Sequence, residues 1–441
     1  MDVMTEDPPA HEATISSSTR AKPVTSEHCA RRSTFRAGCW LPAEPDALQA
    51  WLHDFKVRTE TRAASRHPVI QEFADLIEND PIVRLYFTSM IGQVPKASKY
   101  RVRHLDSIEQ MLNLMNAVLT YVPEFEDSAY VGCPLNAILE WCMGTPAGFA
   151  AFRHPTVNAM LKKIMGVWCE YLTGEASLHV FNDTPRGWTS DTAKARVGMA
   201  DFEHDPNDPH WGFRSWNDFF TRRLKAGARP VAAPDDGKVI VSPCESTPYR
   251  IARAVKRQDD FWIKGQPYSL TDMLAGDPAA EEFVGGVVYQ AFLSAFNYHR
   301  WHSPVSGTIL KARTVAGTYF SEDESEGEDP IGPNNSQAYL AHVAARGLIH
   351  ILADDPAIGH VVVMPVGMGE ISSCVIDAGI TPGARVTKGG ELGYFQYGGS
   401  TVCCLFRPGA IAAFATEAIP EPYHAHPPPL RVNAFLARAA D

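Results

Sequence analysis

Three short stretches of the chain hold residue types whose spacing suits chemistry. YHRWHSP at 298–304 sets His299 and His302 around Arg300 and Trp301. On an extended chain, side chains three apart point to opposite sides, so the two imidazoles suit two separate proton-handling tasks better than joint chelation of a metal. FQYGGSTVCCLF at 395–406 interrupts a strand-like run with Gly398-Gly399, and Ser400 follows at once. Two glycines permit a close or strained backbone. The plain reading is a turn with serine at its corner. A GxSxG nucleophile elbow fails, because Val402 stands where its second glycine belongs. The third reading is self-cleavage, in which a serine hydroxyl attacks the preceding carbonyl with a base nearby. PDDGKVIVSPCES at 234–246 adds Asp235, Asp236 and Glu245. Such carboxylates are mostly surface groups, yet a carboxylate is also what orients a catalytic histidine and stabilises its charged form.

The elements that must position these groups differ along the chain. Residues 1–45 read as a tail. Ile70, Phe73, Ala74 and Ile77 then fall on one face of a helix, and Asp80-Pro81 predicts an N-cap with proline in the first turn, restarting a helix through Ile82, Leu85 and Tyr86. Leu105, Ile108, Leu112, Met115 and Leu119 form a further stripe, as do Val157, Leu161, Ile164, Trp168 and Tyr171. These predict a helical N-terminal domain over 46–174. Residues 175–210, polar and irregular with DTPRG and HDPNDPH, read as a linker. Beyond them, β-branched runs alternate with Gly/Pro turns at 238–243, 285–293, 307–315, 347–352, 360–366 and 384–395. The expected fold class is α+β: a helical domain followed by a β-rich, sandwich-like catalytic domain over 211–441.

Composition narrows the partners. Of 441 residues, 45% are hydrophobic and 21% charged, the balance of a globular protein and not of a disordered chain. A net charge of −11 disfavours nucleic acid and anionic membranes. The strongest apolar run, 360–368, is too short to span a bilayer. The opening MDVMTEDPPAHE lacks the apolar core of a secretory signal. Nine irregularly spaced cysteines, without a CxxC pair, suggest neither a disulfide framework nor a zinc site, and no metal is expected. A cytoplasmic location fits. Six of the nine residues at 321–329 are acidic, which reads as a solvated loop, with a lid or cation-attracting rim as the alternative.

Taken in order, these motifs resemble the phosphatidylserine decarboxylase family of pyruvoyl-dependent enzymes, over about residues 211–408. SWNDFFTRRLKAGARPV (215–231), PCES (243–246), IKGQPYSL (263–270), NYHRWHSPVSG (297–307), VGMGEIS (366–372) and KGGELGYFQYGGST (388–401) each resemble a family element. The resemblance implies that the precursor cuts itself between Gly399 and Ser400. Ser400 Oγ would form an ester, and elimination and hydrolysis would leave a pyruvoyl group on a small chain, 400–441, beside a large chain, 1–399. It assigns His302 as the base for processing, Glu245 or, less directly, Asp236 as its acid partner, and His299 to substrate handling and decarboxylation. The pyruvoyl carbonyl would form a Schiff base with a substrate amine and draw electrons as CO2 leaves, so neither PLP nor a metal is implied.

The substrate expectation rests on departures from the membrane-bound members. Asn297 replaces their aspartate before YHR, and Cys244-Glu245-Ser246 replaces A-D-G. The helical extension, CES, YHRWH and GGS resemble the soluble fungal branch that converts free L-tryptophan to tryptamine. Phe296, Asn297, Tyr298 and Trp301 are candidate walls of an indole pocket. Phosphatidylserine is the alternative substrate. A non-catalytic carrier of the biotinyl/lipoyl kind is a third reading, from SPVSGTILK with ITPGARVTKGGELG, but no modifiable lysine in an MKM or DK setting accompanies them.

Overall fold

A computed structural model describes residues 39–42, 44–60, 65–94, 105–127, 129–259, 268–322, 336–371, 373–397, 400–420 and 428–441. Gly398, Gly399, residues 263–267 of the IKGQPYSL element and residues 323–329 of the acidic run lie outside the described residues. The fold is α+β.

The first part is helical: α1 (Pro45–Glu60), α2 (Pro68–Asn79), α3 (Pro81–Gln93), α4 (Ile108–Val118), α5 (Pro134–Met143), α6 (Pro146–Ala151) and α7 (Pro155–Thr173). Pro68, Pro81, Pro134, Pro146 and Pro155 each open a helix, where a missing N–H costs nothing. Asp80 Oδ1 accepts from the amides of Ile82 and Val83 at 2.9 and 3.1 Å, the expected cap. α2 buries Val69, Ile70, Phe73 and Ile77. α3 buries Val83, Phe87, Met90 and Ile91 instead, and leaves Ile82 and Leu85 facing solvent. An all-round apolar helix does not reveal its inner face by spacing; packing against α6 selects it.

Residues 175–210 are not an extended linker. They form a 3-10 turn (Glu175–Val180) and α8 (Asp191–Val197), and drive Phe181, Trp188 and Phe202 into the helical core. Trp188 is 2% exposed, sits edge-on to Phe125 and Tyr130, and donates through Nε1 to the Pro123 carbonyl at 2.9 Å. The polar composition marked local turns correctly, but three aromatic anchors outweigh it. α9 (Trp216–Phe220), capped by the Ser215 hydroxyl, completes this core.

Thirteen strands follow among the described residues: β1 (Val239–Val241), β2 (Thr247–Arg253), β3 (Val287–Leu293), β4 (Arg300–His302), β5 (Gly307–Val315), β6 (Arg346–Ala353), β7 (His360–Gly367), β8 (Ser373–Ile376), β9 (Arg385–Val386), β10 (Glu391–Gln396), β11 (Ser400–Phe406), β12 (Ile411–Phe414) and β13 (Phe435–Ala439). They make three antiparallel sheets: β2-β3-β11-β7-β6-β5-β9, β4-β10-β8 and β1-β13-β12. The central strands β7 and β11 are buried on both faces and read as continuous apolar runs. Val361, Val363, Val402, Cys404 and Phe406 enter one core with the smaller sheets. Val362, Met364, Val366, Cys403 and Leu405 enter another with α10 (Leu270–Met273) and α11 (Gln337–Val343). Adjacent Cys403 and Cys404 thus lie on opposite faces.

Candidate active site

Sheet register gathers the chemistry-bearing segments at one edge. Ser400 opens β11 and lies between Leu293, the last residue of β3, and Gly367, the last of β7. β2 begins at Thr247, opposite Phe292, so Glu245 and Ser246 arrive at the same edge. The chain leaving β3 passes through Phe296, Asn297 and Tyr298 to His299 and β4. The Phe395 amide donates to the His299 carbonyl at 3.0 Å, fixing His299 beside the end of β10 that leads toward Ser400.

Ser400 is 2% exposed, and its Oγ has no hydrogen-bond partner among the described residues. A buried hydroxyl normally has one, so this orphan is a costly feature that needs a reason. His299 is fully buried, and neither ring nitrogen makes a well-formed hydrogen bond among the described residues, the Asn297 backbone offering only a weak one. Its ring stacks on Phe220 at 4.0 Å and meets the edge of Trp40 at 5.7 Å. Trp40 Nε1 donates to the Leu293 carbonyl at 3.0 Å, tying this aromatic wall to the strand position facing Ser400. Burial, aided by the Arg222 charge, holds the His299 pKa well below its usual value. The imidazole is neutral at pH 7 and able to accept a proton.

His302 is held differently. Its Nδ1 lies 2.7 Å from the Gly389 carbonyl and its Nε2 lies 2.8 Å from the Tyr298 hydroxyl. A carbonyl only accepts, so Nδ1 carries the hydrogen and Nε2 accepts from Tyr298 in the neutral ring. Gly389 has φ +80°, and a Cβ there would stand 2.4 Å from Val231 Cγ2, so glycine is required to present that carbonyl. Burial also lowers the His302 pKa.

The expected carboxylate partner is not in place. Both Glu245 oxygens accept from Arg229, at 2.8 and 2.9 Å, and Arg229 also reaches Asp201 at 2.8 Å. Asp236 pairs with Arg438 at 2.9 Å. Neither acid bonds His302. The Gly389 carbonyl fixes the tautomer that a carboxylate would fix, but adds no full charge to stabilise the imidazolium. Glu391, cross-strand from His302 and ion-paired with Arg300, provides a negative charge that raises the His302 pKa.

The candidate pocket walls are occupied otherwise. Trp301 is fully buried in the β core, edge-on to Phe395 at 5.3 Å, and a Cβ at Gly393 would meet its ring at 2.7 Å. Phe296 packs on Tyr130 and Phe125 in the helical core. Both are core residues because β4 and the loop before it are covered on each side. Tyr298 orients His302. Asn297 Nδ2 donates to the Glu245 carbonyl at 3.2 Å, while Arg222 Nη2 donates to the carbonyls of Phe296 and Asn297 at 2.8 and 3.1 Å. Sequence reasoning missed Arg222, Arg229, Phe220, Trp40 and Glu391 as site residues. All but Trp40 lie in motifs already singled out, FFTRRLKAGARP and KGGELG.

The fold and site therefore belong to a chain built around a buried serine at the head of a strand, its hydroxyl without a partner among the described residues, with neutral His299 beside the flanking strands and neutral His302 further along β4, opposite Glu391. Phosphatidylserine decarboxylase family profiles match residues 67–197 and 216–420. The chain belongs to the phosphatidylserine decarboxylase family. It is 40% identical over 327 residues to "Decarboxylase iboD" of Amanita muscaria, covering 70% of this chain and 91% of that one. It is 32% identical over 437 residues to the L-tryptophan decarboxylase of Psilocybe cubensis, covering 93% and 96% of the two chains. Against phosphatidylserine decarboxylase proenzyme 3 of Schizosaccharomyces pombe it is 34% identical over 202 residues, 45% of this chain and 19% of the other. No helix among the described residues is long and apolar enough to cross a membrane.

Proposed function

We propose that this protein is a self-processing, pyruvoyl-dependent decarboxylase of a free aromatic L-amino acid, converting L-tryptophan to tryptamine and CO2 in the cytoplasm. The observation that carries the reading is the buried Ser400 Oγ, without a partner among the described residues and at the strand position where the family motif puts the processed serine. Processing uses the chain's own atoms. Ser400 Oγ adds to the Gly399 carbonyl carbon and the Gly399–Ser400 C–N bond breaks, giving an ester. Removal of the Ser400 α-proton expels the Gly399 carboxylate, and hydrolysis of the remaining alkene with loss of ammonia leaves the pyruvoyl carbonyl. That group, once made, supplies an electrophilic carbonyl and electron sink.

His302 serves as the processing base: its tautomer is set by Gly389, leaving the Nε2 lone pair to take the serine proton once Tyr298 yields it. His299, neutral and walled by Phe220 and Trp40, excludes water and handles the proton of turnover. Glu245 acts through Arg229 and Asn297, holding the 296–298 loop in place. Tryptophan is favoured because a relative bearing that activity in its name aligns over nearly the full length of both chains, whereas the phosphatidylserine decarboxylase proenzymes align over 45% to 63% of this one. Phosphatidylserine remains the second reading, because both family profiles carry its name.

A denaturing intact-mass spectrum of freshly purified protein tests the class. Two chains split at 399/400, the small one bearing a pyruvoyl terminus, are expected. A single uncut, inactive chain overturns the reading. Tryptamine release from tryptophan, against phosphatidylethanolamine release from phosphatidylserine vesicles, then separates the substrates.

A further inference from the structure

Tyr397 stands three residues before Ser400, on the chain end that processing sets free. Its side chain is 4% exposed and sits in an aromatic nest: Trp168 at 5.1 Å, Trp216 at 5.7 Å and Phe220 at 5.1 Å, each edge-on. Its hydroxyl donates to the Gly132 carbonyl. Phe220 presents its other side to His299, so nest and imidazole share a wall. Three extended residues span at most about 10 Å, so the Tyr397 Cα lies within that reach of the Ser400 Cα.

A small cleft beside the nest is lined by Trp168, Cys169, Glu370, Gln396 and Tyr397. Glu370 is 4% exposed. Its Oε1 accepts the Asn136 amide at 2.8 Å, at the start of α5, while Oε2 is buried and makes no well-formed hydrogen bond among the described residues, the weak S–H donor of Cys133 being set against the carboxyl. A buried carboxyl oxygen with no more than a weak thiol donor is costly, and none of the roles derived above uses it.

The edge-on ring contacts suit any flat aromatic group, and the open carboxylate oxygen suits one that carries an N–H. Ser400 and His299 are covered in the uncut chain, so a substrate reaches them only if something over them moves. Cleavage releases the end that bears Tyr397 and no other described aromatic of the nest. We propose that the Tyr397 nest is the aryl subsite of the processed enzyme: the substrate ring replaces the Tyr397 phenol between Trp168, Trp216 and Phe220, and an indole N–H donates to Glu370 Oε2. The proposal rests on the aromatic amino acid reading above and explains how tryptophan is told from phenylalanine.

Two measurements on the full-length processed protein test it. Carboxypeptidase Y followed by intact mass of the large chain reads the position of Tyr397. Loss of Gly399, Gly398 and Tyr397 is expected; a large chain that keeps its end at 399 overturns the displacement. The second compares tryptophan with 1-methyltryptophan, which lacks the N–H. A buried acceptor left without its donor predicts a fall in kcat/KM of roughly tenfold or more for the methylated substrate. Equal values overturn the Glu370 contact. Glu370→Gln, assayed at pH 8 where the folded carboxyl has given up its proton, extends the test. Its amide oxygen keeps the Asn136 bond and turns the amide N–H toward the indole N–H, so kcat/KM for tryptophan falls roughly tenfold relative to that for phenylalanine. An equal loss on both substrates counts against the subsite. A protein without activity on any aromatic amino acid removes the parent reading and the subsite with it, while tryptophan turnover with equal kcat/KM values removes the subsite alone.

Discussion

The Glu370 carboxyl makes a prediction about stability that does not depend on activity. Burial raises its pKa from the usual 4.5 to about 7, against the opposing pull of the α5 amide N–H groups. Cys133, Glu140, Tyr130 and Tyr397 surround the same cluster, on the helical and strand sides alike. Between pH 4.5 and 7 the unfolded chain gives up this proton while the folded chain keeps it. Raising the pH therefore favours unfolding: the contribution is fully present below the unfolded value and is lost as pH rises through the folded one. At about 1.4 kcal/mol per pH unit the whole effect is on the order of 3 kcal/mol. Glu370→Gln keeps an acceptor for the Asn136 amide and does not titrate. Both forms should be made in an uncut Ser400→Ala chain and unfolded in urea at several pH values from 5 to 8. The stability difference, wild type minus Gln, should fall steadily across that range and level off above the Glu370 pKa. Parallel curves would refute the argument that this carboxyl is held protonated by its surroundings.

Four further outcomes follow from the same geometry. Ser400→Ala should leave one uncut chain near 48.5 kDa without activity, read by intact mass and amine release. His302→Ala should slow or stop cutting, whereas His299→Ala should permit cutting and lose turnover; an uncut His299→Ala protein would exchange the two roles. Arg229→Leu strands the buried Glu245 carboxylate and should cost about 3–5 kcal/mol in urea unfolding, with Glu245→Gln added on top restoring most of it. Trp188→Ala should cost about 3–5 kcal/mol, as a core aromatic does; a cost near zero would return residues 175–210 to the status of a linker.

Several features of this protein follow from sequence alone, because they depend on near neighbours along the chain. Asp80-Pro81 caps a helix wherever that helix is placed, and its oxygen finds the amides two and three residues on. The β-branched runs at 285–293 and 360–366 mark strands whatever partners they take. Ser400 and the two histidines stood out by residue type and by the glycines beside them. Tertiary structure decided what depends on residues far apart. It chose which face of α3 turned inward, and it drew 175–210 into the core through Trp188. It gave Glu245 to Arg229 and left the tautomer of His302 to the carbonyl of Gly389, a backbone atom that no residue type advertises. It also brought Tyr397 against Trp168, Trp216 and Phe220, and buried the Glu370 carboxyl against the helical core. Spacing specifies local geometry, but a partner across the sheet or from the helical core is chosen only when packing closes around it.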